Sequence, residues 1–133
     1  MPDNGLITLP SAHDFATTLE RFVTALEERD VTIFLRVDHA AGAASVDRSL
    51  RPTTLVVFGN PAAGTALMQA QQTAGIDLPL KALIWEDGDG SVKLTYNDPA
   101  WISARHELGH DADLAVVGMT AVLSALARHA VGG

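Results

Sequence analysis

Apolar residues along this chain fall into stretches of helical and of strand period. Phe15, Leu19, Phe22 and Leu26 recur at spacings of four, three and four, which predicts an amphipathic helix ending near Arg29. Ser11 with Asp14 reads as a variant capping box at its start, the acid lying in the first turn where the helix dipole favours it. Val31, Ile33, Leu35 and Val37 alternate with Thr32 and Arg36, the pattern of a half-buried strand. Thr53 to Phe58 is a short apolar run rich in β-branched residues and reads as a central strand. Before these, Leu6-Ile7-Thr8-Leu9 supplies an edge strand.

Asn60-Pro61 then opens a helix, with Asn60 at the N-cap and Pro61 at the first position, where a missing N–H costs nothing. That helix is expected to run to Ala74 with Gly75 as its terminator. Leu78 to Trp85 is another apolar strand, and Asp87-Gly88-Asp89-Gly90 turns it into a cleanly alternating partner, Val92, Leu94 and Tyr96 against Ser91, Lys93 and Thr95. Asn97-Asp98-Pro99 starts a short helix to about Glu107, and a last helix covers about 112–130. A hairpin followed by helices makes the fold class α+β, a mainly antiparallel sheet with helices packed on one face, in a single domain spanning 1–133.

The last helix is apolar over most of its circumference. Leu114, Val117, Met119, Val122, Leu123, Leu126 and Val131 leave a polar stripe only at Thr120, Ser124 and Arg128. A helix of this kind needs cover on more than one side. The sheet supplies one side, and a second subunit is expected on the other, making a homodimer through the C-terminal helix. Its apolar segment, about fourteen residues, is read as too short to span a membrane.

Charge and composition narrow the partners. Sixteen acids against nine bases give a net charge of -7, and the bases are scattered. Such a surface repels phosphate backbones and anionic lipid, so neither nucleic acid nor membrane binding is expected. The chain has no cysteine, which excludes disulfides, thiolate nucleophiles and cysteine-built metal sites. Met1-Pro2-Asp3-Asn4-Gly5 has neither a basic nor an apolar leader region, and a cytoplasmic location is the expectation.

Three stretches carry candidate chemistry. His106-Glu107-Leu108-Gly109-His110 satisfies H-E-x-x-H, which on a helix sets two imidazoles one turn apart with a Glu as general base, the arrangement of a zinc hydrolase. No third ligand follows, since nothing acidic lies beyond Asp113, and Gly109 reads as a helix terminus that would turn His106 and His110 apart. Zinc hydrolysis by His106, Glu107 and His110 is therefore the alternative reading. Gly59-Asn60-Pro61-Ala62-Ala63-Gly64-Thr65 has phosphate-loop spacing without the Lys that follows the second Gly, so it suits ligand binding at a helix start better than nucleotide hydrolysis. Asp38-His39 pairs an acid with an imidazole at a strand end, and Lys81 stands two residues beyond the Leu78-Pro79 turn.

Val37-Asp38-His39-Ala40-Ala41, Phe58-Gly59-Asn60-Pro61 with Gly64-Thr65-Ala66-Leu67-Met68, and Asp77-Leu78-Pro79-Leu80-Lys81 resemble, in that order, the bacterial domain-of-unknown-function 302 family. Tyr96-Asn97-Asp98-Pro99 and Ala104-Arg105-His106 resemble its distal part, so the likeness covers about 15–108. The resemblance implies a small α+β fold like the saddle-shaped sheet of the TATA-binding protein, often as a homodimer, and implies no activity. The family commonly has Lys after Gly-Asn-Pro, and here that position is Ala62. The leading expectation is a non-enzymatic homodimeric binding or structural domain without a cofactor, its small-molecule ligand held near Asp38, His39, Asn60, Thr65 and Lys81.

Overall fold

A computed structural model describes residues 4–132 of the chain, so residues 1–3 of the segment read as lacking a leader lie outside the described residues. Five strands, β1 (Leu6–Pro10), β2 (Thr32–Asp38), β3 (Thr53–Gly59), β4 (Leu80–Glu86) and β5 (Val92–Asn97), form one sheet in the order β1-β5-β4-β3-β2, every neighbouring pair antiparallel. The apolar run of β3 is interior, flanked by β2 and β4, while the short β1 lies at an edge. The helices are α1 (Phe15–Glu28), α2 (His39–Ala44), α3 (Pro61–Ala70), α4 (Pro99–His106) and α5 (Asp113–Val131). The fold is α+β.

The alternation in the strands decides which face is covered. Val56 and Phe58 of β3, Ala82 and Ile84 of β4, and Val92, Leu94 and Tyr96 of β5 all point to one side and are buried there. Against them pack Phe22, Ala25 and Leu26 of α1 and Leu123, Leu126, Ala127 and Ala130 of α5. The Phe22 and Phe58 rings meet edge to face with centroids 5.5 Å apart. On the opposite face Leu55, Val57, Leu83 and Trp85 remain half-buried, and the Trp85 indole donates to Thr95 Oγ1 at 2.9 Å.

Several local expectations are corrected. Asp14, not Ser11, caps α1, its carboxylate accepting from the Thr17 N–H at 2.8 Å, while Ser11 bonds Thr18 across the entry turn. The alternation of β2 breaks at Phe34, an extra residue between the pairs Ile33–Phe58 and Leu35–Val57. This bulge keeps Ile33 on the helix side but sends Leu35 and Val37 to the other face, leaving Leu35 55% exposed. The small-residue stretch after β2 forms α2, which Asp38 caps by accepting from the Ala41 N–H. The third helix ends at Ala70 rather than Ala74, because Gln71 is extended and a 3₁₀ turn, Gln72–Ile76, follows. Finally, the apolar segment of the last helix is longer than expected: residues 110–131 are long and apolar enough to cross a membrane by length and composition. Here, however, it lies on the sheet and against α1.

Candidate functional site

The helix layer is incomplete. The first and last helices cover the middle of the sheet, whereas α3 packs through Leu67 into a smaller core with Ala74, Leu108, Ala112, Val116 and Met119. Between the two cores an opening of about 720 Å³ runs over the end of the sheet where β2 begins and β3 ends. Small residues on facing elements keep it open. Ala63 and Gly64 of α3, Gly75 after it, and Ala115 and Gly118 of α5 all line it, and a Cβ placed on Gly118 would meet nothing within 4 Å.

Its walls are apolar: Phe58, Met68, Leu78, Leu80 and Met119, with Phe34 turned toward it by the bulge in β2. The few polar groups are Arg29, which caps the end of α1, and Asn60 and Thr65 of the α3 start. Asn60 Oδ1 accepts from the Ala62 N–H at 2.8 Å, which fixes the side chain as a cap and leaves its amide N–H groups without a partner among the described residues. An apolar hollow with a few polar groups at its margin, within the roughly 300–1,000 Å³ usual for ligand sites, is suited to holding a small molecule. Among the described residues its lining holds no Ser, Cys, Lys, His, Asp or Glu.

The five ligand-binding candidates do not converge. Asn60 and Thr65 line the opening. Asp38 and His39 lie elsewhere, since Asp38 pairs with Thr54 while the cavity end of β2 pairs Thr32 with Gly59. Six residues of strand separate these ends, roughly 20 Å at the usual rise. Lys81 alternates to the opposite face from Leu80 and donates to the Asp77 and Pro79 carbonyls at 3.1 and 3.2 Å. Burial pushes its ammonium pKa down, an effect that nearby Asp77 partly offsets.

The H-E-x-x-H stretch is not one helix. The fourth helix stops at His106, Glu107 takes a left-handed conformation (φ 52°), and Gly109 has φ 74°. His106 uses both ring nitrogens, Nε2 with Asp77 Oδ2 at 2.6 Å and Nδ1 with Thr73 Oγ1 at 3.0 Å, whereas His110 is fully exposed beside Asp113. Among the described residues no three His, Cys, Asp or Glu side chains gather as metal ligands.

What sequence reasoning missed is the Asp77 cluster. Arg105 Nη1 donates to both Asp77 oxygens, at 3.0 and 3.1 Å, and packs over the Trp101 ring at 5.6 Å. Asp77 and Arg105-His106 belong to two of the blocks noted above, 28 residues apart, and the charge pairing of Asp with Arg was the available signal. Together these bonds tie the segment bearing Gly75, Leu78 and Pro79, one wall of the cavity, to α4.

A five-stranded antiparallel α+β domain with an apolar hollow in its helix layer is the class these features define. The chain belongs to the family described as domain of unknown function DUF302, which matches residues 7–126. A solved DUF302 protein of Bacillus stearothermophilus, described as an uncharacterized conserved protein, has the same fold, with a TM-score of 0.83 at 13% identity over 95% of this chain and 98% of that one. Two relatives are named fluoride-specific ion channel FluC 1, from Brucella suis and Brucella abortus. Each is 46% identical over 98% of this chain, which spans 51% and 48% of their respective lengths.

Proposed function

We propose that this chain is a non-enzymatic binding domain for a small, mainly apolar molecule with one polar or anionic end, working as a homodimer through α5 in the cytoplasm. The observation that carries this reading is the apolar cavity with Arg29, Asn60 and Thr65 as its polar groups. Burial of the ligand's apolar body would drive binding, and the three polar groups would orient its other end. The neutral dye 1-N-phenylnaphthylamine should bind saturably and fluoresce. Filling the cavity by Ala115→Trp should abolish that signal with the circular dichroism unchanged, and equal binding by this variant would sink the reading. Asn60→Ala and Arg29→Ala should weaken the anionic dye 8-anilinonaphthalene-1-sulfonate more than the neutral one.

A second reading comes from the relatives' names. The chain spans about half the length of the curated relatives it matches, and they are named as fluoride channels. Among the described residues, the one helix long and apolar enough to span a membrane buries Leu123, Leu126 and Ala127 against a sheet. We therefore assign the pore of those relatives to the half this chain does not match, and to this domain an extramembrane role beside it. Fluoride flux through liposomes holding the Brucella suis protein without the matched half should persist; complete loss of flux would count against this division.

A further inference from the structure

The face of α5 turned away from the sheet carries Leu114, Val117, Gly118, Ala121 and Val122, with half-buried Ala125 completing the row. These positions recur at the three- and four-residue spacings of a helical contact stripe. Leu114 is 90% and Val117 66% exposed. The stripe also has a symmetry. Read from opposite ends it matches Leu114 with Ala125, Val117 with Val122, and Gly118 with Ala121, so two copies laid antiparallel would meet at their centre through the small Gly118 and Ala121, where the helices can approach closely. The charges obey the same symmetry, since Asp111 precedes the stripe by as many residues as Arg128 follows it. Both are exposed, and a helix of this length holds them roughly 25 Å apart within one chain.

We infer that a second copy of this chain docks its α5 antiparallel on this stripe, pairs its Arg128 with Asp111, and closes the mouth of the cavity. The self-complementary charges, Asp111 at one end and Arg128 at the other, select a second copy over another occupant. The stripe is continuous with the cavity, because Gly118 and Val122 belong to both. In this pairing the partner's Val117 covers Val122 at the opening, so each site takes one wall from the other protomer. Dimer formation and ligand binding then reinforce each other by linkage. This inference rests on the cavity reading for its closure step but not for its helix pairing.

The test uses light scattering and 1-N-phenylnaphthylamine binding on the whole chain. The wild type should be a dimer at micromolar concentration. Val117→Asp, at a position that does not line the cavity, should be monomeric with native circular dichroism and should bind the dye about tenfold more weakly, its site being open to water. Arg128→Glu should weaken the dimer, and adding Asp111→Arg in the same chain should restore it, a rescue that two groups at opposite ends of one helix cannot give within a monomer. A monomeric wild type that binds dye overturns this inference and leaves the cavity reading standing. A dimer that binds no dye overturns the cavity reading and the closure, not the pairing. Unchanged dye affinity in monomeric Val117→Asp overturns the closure, and failure of the charge swap to rescue overturns the antiparallel register.

Discussion

Lys93 reaches Asp87 across the β4–β5 turn at 2.7 Å, and the Gly88 N–H donates to the same carboxylate at 2.6 Å. The Lys93 hydrogen bond first, then that of Gly88, holds the Asp87 carboxyl below its ordinary range. Bonds from Thr17 and from Ser91 do the same for Asp14 and Asp89. A carboxyl lowered in the folded state stabilises it fully above the unfolded pKa, near about 4, and loses that contribution as pH falls through the folded value. Denaturant midpoints should therefore drop below about pH 4, and Asp87→Asn should flatten that acid limb while losing stability near neutrality. All three groups are exposed, so added salt should shrink the difference. An Asp87→Asn acid limb parallel to that of the wild type would contradict the assignment. Behind the cavity wall the relevant residue is Asp77, which lies between the lining residues Gly75 and Leu78. Asp77→Ala leaves His106 without its carboxylate, should cost about 1–3 kcal/mol in chemical denaturation, and should weaken dye binding by freeing the Gly75–Pro79 segment.

At the scale of elements, what the sequence disclosed depended on whether a period ran unbroken. The alternation Val92, Leu94, Tyr96 is uninterrupted, and β5 sits as its pattern predicts. Asn60-Pro61 and Asn97-Asp98-Pro99 are start signals, and both open helices as expected, with Asn60 at its cap and Asp98 accepting from the Ala100 N–H at 3.0 Å. The bulge at Phe34 left no mark, because an inserted aromatic looks like an ordinary strand residue. The early end of α3 was equally hidden, since Gln71 and Gln72 are good helix formers, yet Gln71 is extended and Ala74 beyond it is buried in the smaller core. Gly5 is a different case. It has φ 78°, its carbonyl accepts from the Asp98 N–H at 2.8 Å, and a Cβ there would strike the Trp101 indole. Gly5→Ala should thus loosen β1 from the start of α4 and cost about 1–3 kcal/mol, measured by urea unfolding.

For the whole molecule, two unequal cores share one sheet. The larger joins all the strands to the first and last helices, and the smaller underlies α3 beside the cavity. Local opening follows packing, so amides of β3 and β4 should exchange slowest, those of α3 and the following 3₁₀ turn fastest, and bound dye should slow the latter selectively. Uniform protection across both regions would argue against a separable cavity flank. The site itself was half legible. Asn60 and Thr65 do meet at the opening, because one short helix start carries both. Asp38 and His39 fall away because the antiparallel register of β2 and β3 places them at the far end of the sheet. The cavity walls could not be read at all: Phe58, Met68, Leu78 and Met119 come from separated segments, each of which reads as ordinary core.

The bulge at Phe34 has a consequence for how the protein behaves in a crowded solution. The second strand is an outer one, and its free backbone groups could template a neighbouring chain. The extra residue bends that border and breaks the flat, regular ladder that intermolecular strand addition requires. One inserted side chain thus shapes a pocket wall on the inside and, on the outside, disfavours amyloid-like growth from the β2 border of the sheet.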